Sequence, residues 1–226
     1  MTTLSAVEFM DWESAKIAMD HNGLENPLDS EYKYYILIEM SGNQEEELMQ
    51  EQMLELLEKL EDHYEDGVMC DSETQKEQIW QIREGISMAA SSTGLTFKFD
   101  ISLDSQLFED VILKTQEKVN HLGGIVVGHG HIADGNLHLN TVMKGFNDLE
   151  SAQKIRAALQ PWVFDYVQEA GGSISAEHGI GILKTDYLGH SKSKEMIKYM
   201  GKMKQVFDPK GILNPYKVLP ESALTL

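Results

Sequence analysis

Four of the eight histidines fall between residues 121 and 138, and three of them lie in one stretch, GHGHIADGNLHLN at 128–140. His129, His131 and His138 stand there among Gly128, Gly130 and Gly135. Imidazole is the commonest metal ligand, and two or three rings converging at a β-turn-β corner can hold a divalent ion. The glycines permit the sharp bend such a corner needs. A tight hairpin with surface histidines would leave the same pattern. A second cluster is SAEHGIG at 175–181, where Glu177 and His178 set a carboxylate beside an imidazole. Two histidines and one carboxylate form a catalytic zinc set whose fourth position is open to substrate. The same letters also suit a capped helix start. The third is WQIREGISMAASSTGLTFKFDISL at 80–103. Arg83 and Ser87 are four apart, on one helical face. Lys98 sits in a strand pattern with apolar alternates, which would turn it inward. Arginine, a hydroxyl and a lysine make a carboxylate clamp. From this stretch alone, a solvated helix face and an edge lysine are the simpler account.

The elements that must position these residues follow from periodicity. Strands are expected at 4–9, 34–38, 68–70, 96–103, 125–128, 136–142 and, briefly, 173–175. Helices are expected at 11–20, 44–65, 73–92, 105–122 and 148–170, with Gly123-Gly124 and Gly171-Gly172 ending the last two. From 179 onward the pattern is mostly helical until Asp208-Pro209. The order over 96–175 is β-α-β-β-α-β, which suits an antiparallel sheet with helices packed on it. Residues 4–71 read as a partial version of the same unit. One compact α+β domain over residues 1–226 is expected.

Composition narrows the function classes. Hydrophobic residues are 42% and charged residues 25% of 226, as in an ordinary globular chain. No apolar run approaches the ~18 residues of a membrane helix. Cys70 is the single cysteine, so no internal disulfide can form. The net charge of −18 is unevenly placed: residues 1–75 hold 20 acids against Lys16, Lys33 and Lys59. Phosphate-backbone binding needs clustered bases, so nucleic acid is an unsuitable partner. The N-terminal MTTLSAVEFMD has neither a basic nor an apolar leader region, and it lacks the arginines of a transit peptide.

Together with LSAVEFMD at 4–11, YYILIEMSG at 34–42 and FDPKGILNPYKVL at 207–219, these stretches resemble the C-terminal portion of the FAD-linked D-2-hydroxyacid dehydrogenases. Within that family the resemblance is nearest to the branch acting on D-2-hydroxyglutarate. It runs in the same order from about residue 4 to about 219. It implies an α+β fold of the FAD-linked oxidase C-terminal type, with ferredoxin-like units and C-terminal helices. It implies that His131, His138 and Glu177 ligate a divalent metal, usually zinc, and that His178 is the catalytic base and touches substrate. Arg83, Ser87, Lys98 and Asn140 match substrate-carboxylate positions, and Asn214 matches a residue near the flavin ring. Ser87 stands where the nearest relatives usually carry threonine, so the hydroxyl is kept and the methyl lost. The spacing of His129 to His131 suggests a ligand pair, but the family often has an aromatic residue there, so His129 is left outside the ligand set. The implied partners are a D-2-hydroxy acid, an FAD-binding domain and an electron-transfer flavoprotein, in the mitochondrion. No stretch matches the family's FAD-binding half, so these residues are expected to be the substrate domain without it. D-lactate or glycolate as substrate is the alternative within the class. A metal-dependent dicarboxylate-binding module without redox activity is the alternative outside it. Arg83 with Lys98 favours a substrate with a second carboxylate.

Overall fold

The structure, a computed structural model, describes residues 2–70, 72–146 and 148–224. Five strands form one antiparallel sheet: β1 (Thr2–Asp11), β2 (Tyr34–Gly42), β3 (Leu95–Ser102), β4 (Gly124–His131) and β5 (Asn136–Met143). Their order is β2-β1-β4-β5-β3. Helices α4 (Phe108–Val119) and α5 (Leu149–Glu169) join β3 to β4 and follow β5. The β-α-β-β-α-β order over 96–175 is therefore present, but its last strand is a single bridge between Ser102 and Ser173. The rest of the expected strand at 173–175 is lost because the chain curls around Asp100, whose carboxylate accepts from Ser175, Glu177 and His178.

Alternation along the strands sorts side chains onto two faces. Phe9, Phe97, Phe99, Ile101, Val126, Leu137, Leu139 and Met143 point to one face. There they form the main core with Phe108, Val111 and Ile112 of α4 and Leu159, Val163 and Phe164 of α5. The intervening residues point to the other face. Two helices cover part of that face: α1 (Trp12–Asn22) and α3 (Glu73–Thr93). Met10, Ala15, Ala18, Met19, Ile82 and Ile86 form a second core there. Ala90, Val127 and Val142 form a third.

The β1–α1 corner anchors β4. Beyond Met10 the chain leaves the ladder with β4, so the peptide of Gly128 loses its strand partner. Asp11, the N-cap of α1, accepts from the backbone N–H of Ser14 at 2.7 Å and from that of Gly128 at 2.8 Å. The Ser14 hydroxyl donates to the Gly128 carbonyl at 3.0 Å. These contacts satisfy both backbone groups beside His129.

Three expected elements differ. Residues 68–70 form no strand and are irregular. Three residues after Gly67 are too short to pair, and Asp71 lies outside the described residues. The expected helix over 44–65 is α2 (Glu46–Lys59) followed by a short 3-10 turn, and α2 buries none of its described residues. The half-unit over 4–71 therefore contributes only β1 and β2 to the sheet. After 179 the chain is less helical than its pattern suggests: Gly179 and Gly181 take left-handed φ values of 79° and 55°. Regular α-helix resumes only at α6 (Lys194–Phe207), capped by Ser193.

Candidate active site

The second sheet face carries the chemistry. Antiparallel register places His129 opposite His138, and His138 opposite Asp100. It also places Glu8 opposite His131 and Lys98 opposite Asn140. All seven side chains belong to the face that α1 and α3 only partly cover. The β4–β5 turn fixes the register of the histidines. Gly135 adopts φ 71°, which favours glycine, and its N–H bonds the Ile132 carbonyl at 3.3 Å. Gly130 lies so close to β5 that a Cβ there would stand 2.0 Å from the Asn136 carbonyl oxygen.

Asp100 builds the loop that brings Glu177 and His178 to the histidines. Its carboxylate accepts from the backbone N–H of His178 at 2.8 Å, from that of Glu177 at 3.0 Å and from the Ser175 hydroxyl at 3.2 Å. Burial alone would raise the pKa of Asp100, but the bonds from His178 and Glu177 hold it below its ordinary value. Lys184 closes the same loop, donating to the Ile174 carbonyl at 2.8 Å.

Three side chains then converge. His131 Nε2 is 3.5 Å from one Glu177 carboxylate oxygen, and His138 Nε2 is 3.8 Å from the other. One ligand atom from each of the three lies within 4.8 Å of the others. Ligand atoms on a tetrahedral ion stand roughly 3.3 Å apart, so this donor set fits a zinc-like cation with a small contraction. Asp100, His138 and His178 make a second triad within the same limit. Asp100 is already occupied by the loop's N–H and hydroxyl donors, which makes it the poorer ligand. Burial lowers the pKa of His138, against the pull of Asp100 and Glu177, and keeps the ring neutral and able to ligate. His178 stacks on His138 with ring centroids 5.6 Å apart. Its side chain is 63% exposed, so it faces the open side of the site.

Helix α3 brings Arg83 and Ser87 onto this face, four residues apart. Arg83 is buried and paired: its Nη2 and Nε lie 2.7 and 2.9 Å from one oxygen of Glu8. The solvated-face account of Arg83 is therefore wrong. Ser87 Oγ lies 3.4 Å from His129 Nε2, and the Ser87 carbonyl accepts from Lys98 Nζ at 3.3 Å. Lys98 is exposed rather than turned into the core, because Phe97 and Phe99 take the core side of β3. His129 is 2% exposed and belongs to neither triad. Burial, then Arg83 and the neighbouring histidines, hold it well below its ordinary pKa. Asn140 is also buried, and its Nδ2 lacks a partner among the described residues. Asn214 lies apart in sequence, within an exposed segment over 211–218.

Two participants escape a sequence reading. Glu8 and Asp100 are isolated acids flanked by apolar residues in their strands, and alternation alone marks them as facing away from the main core. Their burial depends on partners 75 to 78 residues distant, which no local pattern shows.

Comparisons with known proteins bear on this site. The family described as FAD linked oxidases, C-terminal domain, matches residues 1–218. A protein of Arabidopsis thaliana named as mitochondrial D-2-hydroxyglutarate dehydrogenase is 39% identical over 97% of this chain and 38% of its own length. The protein of that name from Rattus norvegicus is 38% identical over 97% of this chain and 40% of its own length. The chain thus spans about two fifths of the curated relatives it matches. Among solved structures, 4-ethylphenol oxidase from Gulosibacter chungangensis is similar with a TM-score of 0.63 and 13% identity. The likeness covers 96% of this chain and 48% of that one, and shows a shared fold.

Proposed function

The chain belongs to the family of FAD linked oxidases, C-terminal domain, and from that premise we propose that it is the substrate- and metal-binding portion of an FAD-dependent dehydrogenase oxidising D-2-hydroxyglutarate to 2-oxoglutarate. The observation that carries the proposal is the meeting of His131, His138 and Glu177 beside His178, on one sheet face with Arg83 and Lys98. The names of the relatives supply the substrate and the mitochondrial location.

In this reading a bound flavin would supply the hydride acceptor, and a divalent ion, zinc by the donor set, would supply the positive charge that lowers the pKa of the substrate hydroxyl. The chain's own residues do the rest. His131, His138 and Glu177 hold the ion. His178 takes the proton from the 2-hydroxyl, its backbone fixed by Asp100. Two of the five guanidinium N–H donors of Arg83, on Nε and Nη2, are spent on Glu8, which leaves both Nη1 donors and the second Nη2 donor for substrate oxygens. Lys98 supplies the second cation for a distal carboxylate, with Ser87 and Asn140 lining the same face. Asn214, Tyr216 and Val218 hold φ values of 44°, 64° and 70°, a conformation that costs non-glycine residues energy and clusters at ligand-facing segments. The family resemblance assigns Asn214 to the flavin side, and the unusual backbone there supports a ligand-facing position. An FAD-binding domain is the partner required, and electron-transfer flavoprotein is the acceptor assigned by family resemblance.

The test is substrate discrimination in the enzyme joined to its FAD-binding domain. Lys98→Ala should lower kcat/KM for D-2-hydroxyglutarate by about 10-fold or more, since a charge-assisted contact is lost. D-lactate, which lacks the distal carboxylate, should lose little. Equal losses on both substrates would contradict the dicarboxylate assignment.

A further inference from the structure

We propose that Glu8 is a positioning residue that fixes the tautomer and orientation of His131 for metal ligation. The inference rests on the metal reading given above. Glu8 is buried at the β1–β4 contact and divides its carboxylate between two partners. One oxygen takes both nitrogens of the Arg83 edge, at 2.7 and 2.9 Å. The other lies 2.8 Å from His131 Nδ1. A carboxylate bound to a guanidinium is ionised and can only accept. The short contact therefore requires a proton on Nδ1. With that proton in place, the lone pair of the neutral ring lies on Nε2, the atom that faces Glu177 at 3.5 Å. A carboxylate behind a ligating histidine fixes the ring and raises its basicity, and loss of such a partner costs ~10–100-fold in metal affinity.

Arg83 completes the device. A lone buried carboxylate would carry an uncompensated charge, whereas the Glu8–Arg83 pair is neutral as a unit. The pair contributes an oriented acceptor to His131 with little net charge. This separates the proposal from a merely structural role. Replacing both members by apolar residues of similar volume should preserve the fold and leave the net charge of the pair unchanged, yet remove the acceptor from Nδ1.

The experiment uses the 226-residue chain, as wild type, His138→Ala and the double variant Glu8→Leu/Arg83→Met, with Zn2+ affinity read by competition with a chromophoric chelator. Circular dichroism checks the fold. The double variant should bind Zn2+ about 10–100-fold more weakly than wild type. Undiminished affinity in a folded double variant would overturn the role of Glu8 and leave the metal site standing. A wild type that binds Zn2+ no better than His138→Ala would overturn the metal reading, and this inference with it. A second measurement needs no variant: long-range 1H–15N spectra of the metal-free wild type should show His131 protonated on Nδ1. Protonation on Nε2 alone would overturn the proposal even if the double variant fails to fold.

Discussion

At the scale of single residues, two buried carboxylates hold the site together. Arg83, Glu8 and His131 run inward from α3 through β1 to β4, and Asp100 ties the loop bearing Glu177 and His178 to β3. Such pairing has a stability consequence. Removing one partner of a buried ion pair strands the other charge at a cost of ~3–5 kcal/mol, whereas replacing both is often near neutral. Arg83→Met alone should therefore be destabilised by about that amount in denaturant unfolding. Adding Glu8→Leu should recover most of the loss. Additive losses would show that the two side chains do not share their burial. The same pairing explains what was legible in the sequence. The histidines and the Glu177-His178 step stand out by residue type and spacing, whereas the helical separation of Arg83 and Ser87 pointed to a solvated face, and only the family resemblance singled them out. Glu8 and Asp100 do not, because an acid in a strand looks alike whether it faces solvent or a buried arginine. Lys98 misled for a related reason: alternation places it opposite Phe97 and Phe99, on a face that α1 and α3 only partly cover, and whether a residue there is buried, like Asp100, or exposed, like Lys98, depends on packing that no local pattern shows.

At the scale of elements, the β1–α1 corner does double service, ending a strand and pinning the strand that holds the histidines. Asp11 performs both tasks from a buried position. Burial pushes its pKa up from 3.8 to about 6, against the bonds from Ser14 and Gly128. The folded chain thus binds this proton more tightly than the unfolded chain does. The resulting stability is full below about pH 4 and is lost as pH rises through about 6. The whole shift corresponds to at most about 3 kcal/mol. Asp11→Asn keeps a capping carbonyl but cannot ionise. Its melting temperature relative to wild type should rise between pH 4 and pH 6. A difference that stays constant across that window would show that Asp11 does not titrate there. The strand expected at 68–70 was not formed, because a run of three apolar residues has no length with which to compete for a sheet edge. The strand at 173–175 shrank to one bridge, because Asp100 draws the following N–H groups out of the ladder.

At the scale of the whole molecule, the charge asymmetry and the architecture coincide. Residues 1–75 carry 20 of the 37 acids, and within them α2 buries none of its described residues. The balanced remainder builds the main core and most of the site, borrowing Glu8 from β1. Exposed apolar side chains gather late in the chain, where Val206, Phe207, Ile212, Leu213 and Tyr216 are each more than half exposed. The fold class and most of the helices could be read from periodicity, because α1, α3, α4 and α5 each bury a stripe against one sheet, whereas α2 buries none of its described residues and α6 only Gly201. The convergence of residues 8, 83, 131, 138 and 177 could not, because it depends on strand register and on a loop held by one distant carboxylate. That convergence is the centre of the account, and metal content tests it most directly. Wild-type chain loaded with Zn2+ and dialysed to equilibrium should retain about one ion per molecule by elemental analysis, as a three-ligand site with an open fourth position predicts, and His138→Ala should retain almost none. Equal metal in the two proteins, or none in either, would contradict it.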